Sequence, residues 1–121
     1  MKVSLLHYEH KRFINKAEDY INDHLDSAIT LDDIAKSIGV SKFYFHRLFK
    51  DQCEETLNQY IVRIKMERSA IFLLVHKDIT IAKIAQGYGY NDSSSYIRAF
   101  KRVHGITPDE YRKARIDNTS I

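Results

Sequence analysis

Apolar residues recur along the chain at the three- and four-residue spacing of amphipathic helices. One such stretch contains Phe13, Ala17 and Ile21 and predicts a first helix that ends near Asp26. A longer stretch, residues 56–75, continues without a glycine or a proline. The chain has only 4 glycines and 1 proline, and it lacks the Asn-Gly and Asp-Gly pairs that favour hairpins. These patterns predict an all-α protein.

The strongest signal in the sequence is an internal repeat. Residues of the segment 30–60 return fifty or fifty-one positions later with the same kind of side chain. The paired positions are Thr30 and Thr80, Gly39 and Gly89, Phe45 and Tyr96, Arg47 and Arg98, Phe49 and Phe100, Lys50 and Lys101, Thr56 and Thr107, and Tyr60 and Tyr111. The chain therefore holds two copies of one supersecondary unit, and the change of offset adds one residue to the turn of the second copy.

Each copy carries the local signals of a helix-turn-helix. Thr30 is placed as the N-cap of a short helix over about 31–37, because its hydroxyl can accept from a free amide of the first turn. Gly39 ends that helix, since glycine enters the left-handed region without strain. Ser41 then caps a second helix over about 41–51. A short helix, a glycine turn and a second helix make up the motif.

The second copy differs in its turn, where Asn91 or Asp92 takes the place of Ser41 as the helix cap. Beyond this copy, Thr107 followed by Pro108 predicts the start of a last, basic helix, because proline is favoured at the first helical position. With the first helix and the long helix between the copies, the sequence predicts about seven helices.

The second helix of each copy divides into an inner and an outer face at helical spacing. The inner positions are Phe45, Leu48 and Phe49 in the first copy and Tyr96, Ala99, Phe100 and Val103 in the second. The outer positions are Phe43, His46, Arg47 and Lys50 in the first copy and Ser94, Ile97, Arg98 and Lys101 in the second. Both outer faces have an arginine and a lysine at matched places. We expect both also to expose an apolar residue, Phe43 and Ile97.

Composition and charge narrow the possible functions. The 121 residues are 44% hydrophobic and 29% charged, as in a globular domain, and no apolar run approaches the ~20 residues that span a membrane. The single cysteine, Cys53, excludes an intramolecular disulfide and favours a reducing, intracellular compartment. The net charge of +3 permits a polyanionic partner. Because no catalytic, metal-binding or cofactor-binding motif is found, we expect no enzyme activity, metal or cofactor.

Several motifs occur in one order and at one spacing along the chain. They are Leu31-Asp32-Asp33-Ile34-Ala35, Gly39-Val40-Ser41, Arg47-Leu48-Phe49-Lys50, Ile84-Ala85, Gly89-Tyr90, Phe100-Lys101, Gly105-Ile106-Thr107-Pro108 and Tyr111-Arg112. Through them, residues 10–115 resemble the DNA-binding domain of the AraC/XylS family of bacterial transcription regulators. The chain looks like the small stand-alone activators of that family, the multidrug- and superoxide-response type.

The resemblance implies two helix-turn-helix lobes joined by a long central helix, a homeodomain-like pair. The domain is expected over residues 1–115, with lobe one at 9–55, the spacer helix at 56–76, lobe two at 79–115, and a frayed tail at 116–121. The spacer would measure ~28–30 Å, close to the ~34 Å of one DNA turn. Each lobe is therefore expected to place one recognition helix in a successive major groove.

The expected partners are double-stranded promoter DNA, bound by a monomer, and RNA polymerase, in the bacterial cytoplasm at the nucleoid and away from membranes. The expected DNA-binding residues are Ser41, Phe43, Tyr44, His46, Arg47 and Lys50 in the first recognition helix and Ser93, Ser94, Ser95, Ile97, Arg98, Lys101 and Arg102 in the second. The two arginines at matched places are expected to read bases, and the lysines to contact phosphates. Ile97 is expected to contact a thymine methyl in a degenerate second half-site.

Three features depart from the family's pattern. Glu54 stands where the family usually has glycine, so the turn after the first recognition helix must form differently. Phe43 occupies a variable position that often holds tryptophan, and the second recognition helix has serines and Ile97 where glutamine and threonine are common. Two alternatives stay open. One is an isolated C-terminal fragment of a larger ligand-sensing regulator, and the other is a protein-interaction module with an exposed patch at Ile71 or Leu74 of the spacer.

Overall fold

The structure, a computed structural model, describes the backbone of residues 5–119 and the side chains of residues 9–51 and 53–114. Its helices are α1 (Leu5–Asp23), α2 (Leu31–Ile38), α3 (Lys42–Gln52), α4 (Leu57–Val75), α5 (Ile81–Gly87), α6 (Ser93–His104) and α7 (Pro108–Thr119). The described backbone contains these seven helices and no strand. The predicted all-α fold is confirmed.

The chain divides into two compact units, with the boundary between Ile61 and Val62 inside α4. We name residues up to Ile61 unit 1 and those from Val62 onward unit 2, and each is described by itself. In unit 1, Ala17 and Ile21 follow each other at four-residue spacing on one face of α1, and both are buried. They join a core that also contains Ile34, Ala35, Phe45, Leu48, Phe49, Tyr60 and Ile61.

The core of unit 2 is also built from buried apolar side chains, and it includes a buried pair of hydrogen-bonded hydroxyl groups. Its buried side chains are Met66, Ala70, Leu73, Ile84, Ala85, Tyr96, Ala99 and Phe100. The Tyr96 hydroxyl donates to Ser69 Oγ at 2.9 Å, and Ser69 Oγ donates to the Met66 carbonyl at 3.1 Å. Burial raises the pKa of Tyr96 to about 12. This pair satisfies two polar groups that would otherwise destabilise the core.

The turn of each helix-turn-helix is built in the same way. Gly39 and Gly89 both lie in the left-handed region, with φ of 80° and 86°. The amide of the residue after each glycine donates back to a carbonyl of the preceding helix, a bond that satisfies an otherwise free helix end. These bonds are Val40 N to Ala35 O and Tyr90 N to Ala85 O, both at 3.0 Å.

The N-caps follow the predicted pattern. Thr30 Oγ1 accepts from the Asp33 amide at 3.1 Å, and the Asp33 carboxylate accepts from the Thr30 amide at 3.2 Å, which completes a capping box. Thr80 Oγ1 accepts from the Lys83 amide at 3.1 Å. The lysine offers no acceptor for the return bond. The extra residue of the second turn is confirmed, because α6 is capped by Asp92 rather than by Asn91.

The first helix ends earlier than expected. α1 begins at Leu5 and ends at Asp23, short of the predicted Asp26. A ring nitrogen of His24 lies 2.8 Å from the Tyr20 carbonyl, and Ser27 donates to the His24 carbonyl, so local bonds replace the helical ones. α7 continues to Thr119, and the expectation of a frayed tail over residues 116–121 stays a prediction.

Candidate nucleic-acid interface

The first recognition helix, α3, presents its predicted outer face to solvent. Ser41 Oγ accepts from the Tyr44 amide at 3.1 Å and so caps the helix as predicted. Phe43 is 78% exposed, and His46, Arg47 and Lys50 are exposed as well. We name these four side chains the first outer face. Within the part of the chain that the structure describes, neither Arg47 nor Lys50 forms an ion pair, so both cations are available to a ligand.

Two contacts shape the first turn of α3. The ring of Tyr44 meets the ring of Phe13 from α1 edge to face, with centroids 6.1 Å apart and planes at 89°. The Lys42 ammonium lies 5.5 Å from the centroid of the Phe43 ring. Lys42 was not among the expected DNA-binding residues, although the repeat pairs it with Ser93, which was. Comparing the two copies position by position would have found it.

The second recognition helix, α6, begins at a carboxylate instead of a hydroxyl. Asp92 Oδ1 accepts from the Ser95 amide at 2.7 Å. The hydrogen bond from the Ser95 amide, together with a second from the Ser95 hydroxyl, holds the pKa of Asp92 below its usual value. Ser94, Arg98, Lys101 and Arg102 are exposed, whereas Ser93 and Ser95 are half-buried. We name the exposed four the second outer face.

The structure corrects two assignments on α6. Ile97 was expected on the outer face, but it is half-buried and packs against the core of unit 2. Val103 was expected inside, yet it is 37% exposed in the last turn of the helix. Both lie at the margins of the inner face, where periodicity alone does not decide burial. Ile97 therefore has less surface to offer a thymine methyl than was expected.

The two matched arginines differ in their surroundings. Arg98 Nη2 donates to Ser95 Oγ at 3.4 Å, a long bond within the first turns of α6. Arg47 has Tyr44 in place of Ser95 three residues before it. The Tyr44 ring is held by Phe13 and is not an acceptor for Arg47 in the structure. The matched arginines therefore differ in the side chain beside them, which is a hydrogen-bonded serine for Arg98 and a tyrosine for Arg47.

Arg112, a residue of the family-like motif near the C-terminus, is occupied within unit 2. Its guanidinium donates to the carbonyls of Leu73, His76 and Ile79 at 3.0, 3.1 and 3.0 Å. These carbonyls belong to the end of α4 and to the turn before α5. Local sequence patterns do not predict this role, because the partners lie 33 to 39 residues away. Arg112 supports the second helix-turn-helix and is not a free surface cation.

The recognition helices also end differently. The C-cap of α6 is Gly105, which has φ of 84° in the left-handed region. The C-cap of α3 is Cys53, which is extended with φ of −129°, and its amide donates to the Phe49 carbonyl at 2.8 Å. No residue other than glycine has a positive φ in the described chain. The turn at Glu54 is therefore made without a left-handed residue, as the absence of glycine there requires.

Two concave regions lie beside the recognition helices. A cavity of about 640 Å³ in unit 1 is bordered by Phe49, Lys50 and the half-buried Cys53. A polar cavity of about 340 Å³ in unit 2 is bordered by Gln86, Asn91 and Ser93. No group of side chains suited to hold a metal ion is found among the described residues. None of the described helices has the length and apolar character needed to cross a membrane.

Two helix-turn-helix motifs, each presenting a helix with an exposed arginine and lysine at matched positions, define a class of nucleic-acid-reading domain. The helix-turn-helix domain family matches residues 34–114. The chain is 31% identical to the regulatory protein SoxS of Escherichia coli K12 over 103 residues, which cover 85% of this chain and 95% of that protein. The chain belongs to the AraC/XylS family of transcription regulators and corresponds to its DNA-binding domain.

Other relatives are longer. The chain is 30% identical to the Msm operon regulatory protein of Streptococcus mutans over 103 residues, which cover 85% of this chain but 37% of that protein. It thus spans about a third of that relative's length. The DNA-binding domain of AdpA, a global transcriptional factor solved in complex with a target DNA, has the same fold, with a TM-score of 0.70 and 21% identity over 83% of this chain and 89% of that one.

Proposed function

We propose that the chain binds promoter DNA as a monomer, with α3 and α6 each in a major groove. The observation that carries the proposal is the repetition of exposed cations. Arg47 and Lys50 on α3 recur as Arg98 and Lys101 on α6, and all four are exposed. A structural ion pair has no need of such repetition, whereas two reading helices do. The AdpA domain, solved with a target DNA, supports the same partner for this chain.

The two outer faces divide into base and phosphate contacts in this proposal. Arginine can make two parallel hydrogen bonds to a guanine, while lysine acts as a point charge on the backbone. We assign Arg47 and Arg98 to bases and Lys50, Lys101 and Arg102 to phosphates. Ser41 and Phe43 lie at the start of α3, the end of a recognition helix that contacts base edges. Tyr44, His46, Ser93, Ser94 and Ser95 complete the proposed interface, and Ile97 supports it from the half-buried margin.

Each unit holds one recognition helix, α3 in unit 1 and α6 in unit 2, and we assign the two helices to successive grooves. Two recognition helices in one chain need no twofold partner, so the site is asymmetric and roughly 20 bp long. We further propose that the bound protein activates transcription by contacting RNA polymerase, in the cytoplasm of a bacterium, since the relatives are bacterial regulators.

The test is selection of bound sequences from random duplexes, followed by titration of the selected site. Lys50→Ala should weaken all duplexes alike and lower the slope of log affinity against log salt by about one. Lys16→Ala is the matched control, because Lys16 is an exposed lysine of α1 outside both outer faces. A selected site that is strictly palindromic and bound by two chains would contradict the monomer.

The second candidate function is a protein-interaction module. It is favoured by Ile71 and Val75, which lie one turn apart on α4 and are 59% and 67% exposed. Leu74, between them in sequence, is half-buried. A single exposed pair is a small surface, and scattered apolar residues are common on proteins. Specific protein binding without any binding to selected or random duplexes would favour this candidate over DNA binding.

A further inference from the structure

The first turn of α3 is tied to α1, a helix that precedes the matched family segment 34–114. Ala17 and Ile21 anchor one face of α1 in the core of unit 1. Phe13 lies one turn before Ala17 on the same face and is half-buried. Its ring meets the Tyr44 ring edge to face at 6.1 Å. The face of α1 that is buried in the core of unit 1 therefore also contacts the first turn of α3, through Phe13.

Tyr44 connects this contact to the proposed reading surface. Its amide donates to the cap Ser41, and the residue remains 38% exposed. The neighbouring Phe43 is 78% exposed at the tip of the same turn. Residues in the first turn of a recognition helix contact base edges, and reading requires them to be held within a fraction of an ångström. A ring that packs against Tyr44 thus bears on the placement of Phe43.

Unit 2 lacks this device. The residue that corresponds to Tyr44 is Ser95, whose hydroxyl accepts from Arg98 at 3.4 Å. No aromatic ring contact involves the first turn of α6 before Tyr96 within the described residues. The difference between the units supplies an internal reference, because loss of the Phe13 ring should change reading by unit 1 alone.

We propose that Phe13 is a positioning residue that sets the base selectivity of unit 1 by fixing Tyr44 and the first turn of α3. The inference rests on the proposed function, since it concerns how the DNA is read. It extends that function to a residue outside the recognition helices and outside the segment matched by the family. Phe13 touches no base in this proposal and acts only through Tyr44.

The experiment compares wild type, Phe13→Ala, Phe13→Tyr and the control Asn15→Ala, which changes an exposed uncharged residue of the same helix. Each is titrated against the selected duplex and against duplexes with single base-pair changes. The base pairs read by unit 1 are those whose preference is lost in Arg47→Ala. From the usual strength of an edge-to-face pair, Phe13→Ala should reduce discrimination at these base pairs by about threefold to tenfold.

The same variant should leave discrimination at the base pairs lost in Arg98→Ala unchanged. Phe13→Tyr keeps the ring and should keep wild-type selectivity, as should Asn15→Ala. Tyr44→Ala also removes a proposed DNA contact and should lose at least as much discrimination as Phe13→Ala, and adding Phe13→Ala to it should cause no further loss. A merely structural role would instead lower the affinity for every duplex by one factor, in step with the folded fraction measured by circular dichroism.

The outcomes separate the inference from the proposed function. If wild type selects a sequence and Phe13→Ala selects it equally well, the positioning role is wrong while DNA reading stands. Equal loss at the base pairs of both units also overturns the positioning role. If wild type prefers no duplex over another, the proposed function fails, and the inference fails with it.

Discussion

In α3 the first turn is capped by Ser41 and packed against the ring of Phe13, whereas in α6 it is capped by Asp92 and carries serines. The two helices nonetheless rest on equivalent buried positions, Phe45 and Tyr96, which are both 0% exposed. The two copies share the buried aromatic position and the matched cations, whereas their helix caps and first turns differ. We therefore expect the units to fold alike and to read DNA with different selectivity.

The largest effect should come from removing the buried aromatic ring that the two recognition helices have at equivalent positions. Phe45→Ala and Tyr96→Ala each remove a fully buried ring and should lower the free energy of unfolding by about 3–5 kcal/mol. Tyr96→Phe should cost only about 1 kcal/mol, because it removes the hydrogen bond to Ser69 and keeps the ring. Urea unfolding followed by circular dichroism measures all three. A Phe45→Ala protein as stable as wild type would refute the equivalence of the two positions.

The next effect concerns the matched arginines. Arg47→Ala should weaken binding to the selected site by about 1–3 kcal/mol and relax the preference at one base pair. Arg98→Ala should cost less, since its guanidinium already donates to Ser95. Titration of both variants against one set of duplexes compares them directly. If Arg47→Ala weakens every duplex equally, Arg47 is a phosphate contact and the assignment to a base is wrong.

A smaller effect should separate Ile97 from His46, its counterpart in the first copy. Ile97→Gln puts a polar amide at a half-buried position beside the core and should cost about 1 kcal/mol of stability. His46→Gln changes an exposed residue and should stay within about 0.5 kcal/mol of wild type. Thermal and urea unfolding report both. Unchanged stability of Ile97→Gln together with sharper base selection would restore Ile97 to the outer face.

The smallest effect is a pH dependence that, of the two recognition-helix caps Ser41 and Asp92, only Asp92 has. The folded-state pKa of Asp92 is lowered, so its contribution to stability is present above the ordinary pKa of an aspartate and is lost as the pH falls through the folded-state value. Ser41 does not titrate in this range. Wild type should therefore lose more stability than Asp92→Ser between about pH 5 and pH 2.

The comparison with Asp92→Ser is needed because other capping carboxylates also titrate. Hydrogen bonds with the side chain and the amide of Thr30 lower the pKa of Asp33, and hydrogen bonds with the amide and the side chain of Thr107 lower the pKa of Glu110. Those two contribute to the acid dependence of both proteins alike, so only the difference between the two unfolding curves reports Asp92. Parallel loss of stability in wild type and Asp92→Ser would show that the cap of α6 does not depend on charge.

Much of the fold could be predicted because its signals are local. The caps Thr30, Ser41 and Thr80 and the turn glycine Gly39 act within four residues of their partners, and the structure confirms each. The buried side chains Phe45, Tyr96 and Phe100 followed from helical spacing. The choice between Asn91 and Asp92 stayed open, since either side chain can cap and only the course of the turn decides.

The remaining features depend on distant parts of the chain. Burial of Ile97 depends on the core of unit 2 beneath it. The contact of Phe13 with Tyr44 joins residues of different helices, and the spacing within either helix does not encode it. Exposure of Arg47, Lys50, Arg98 and Lys101 agrees with the predicted faces. Their roles at bases and phosphates stay predictions.

Arg112 has a practical consequence for anyone who shortens this protein. Its three carbonyl partners end α4 and lead into α5, so a chain cut before residue 112 would leave all three without that donor. A truncation intended to shorten α7 would therefore destabilise the turn between α4 and α5, where the second helix-turn-helix begins. Shortened forms of the protein should keep residue 112. If a truncated form is unstable, Arg112 should be restored before the recognition helices are redesigned.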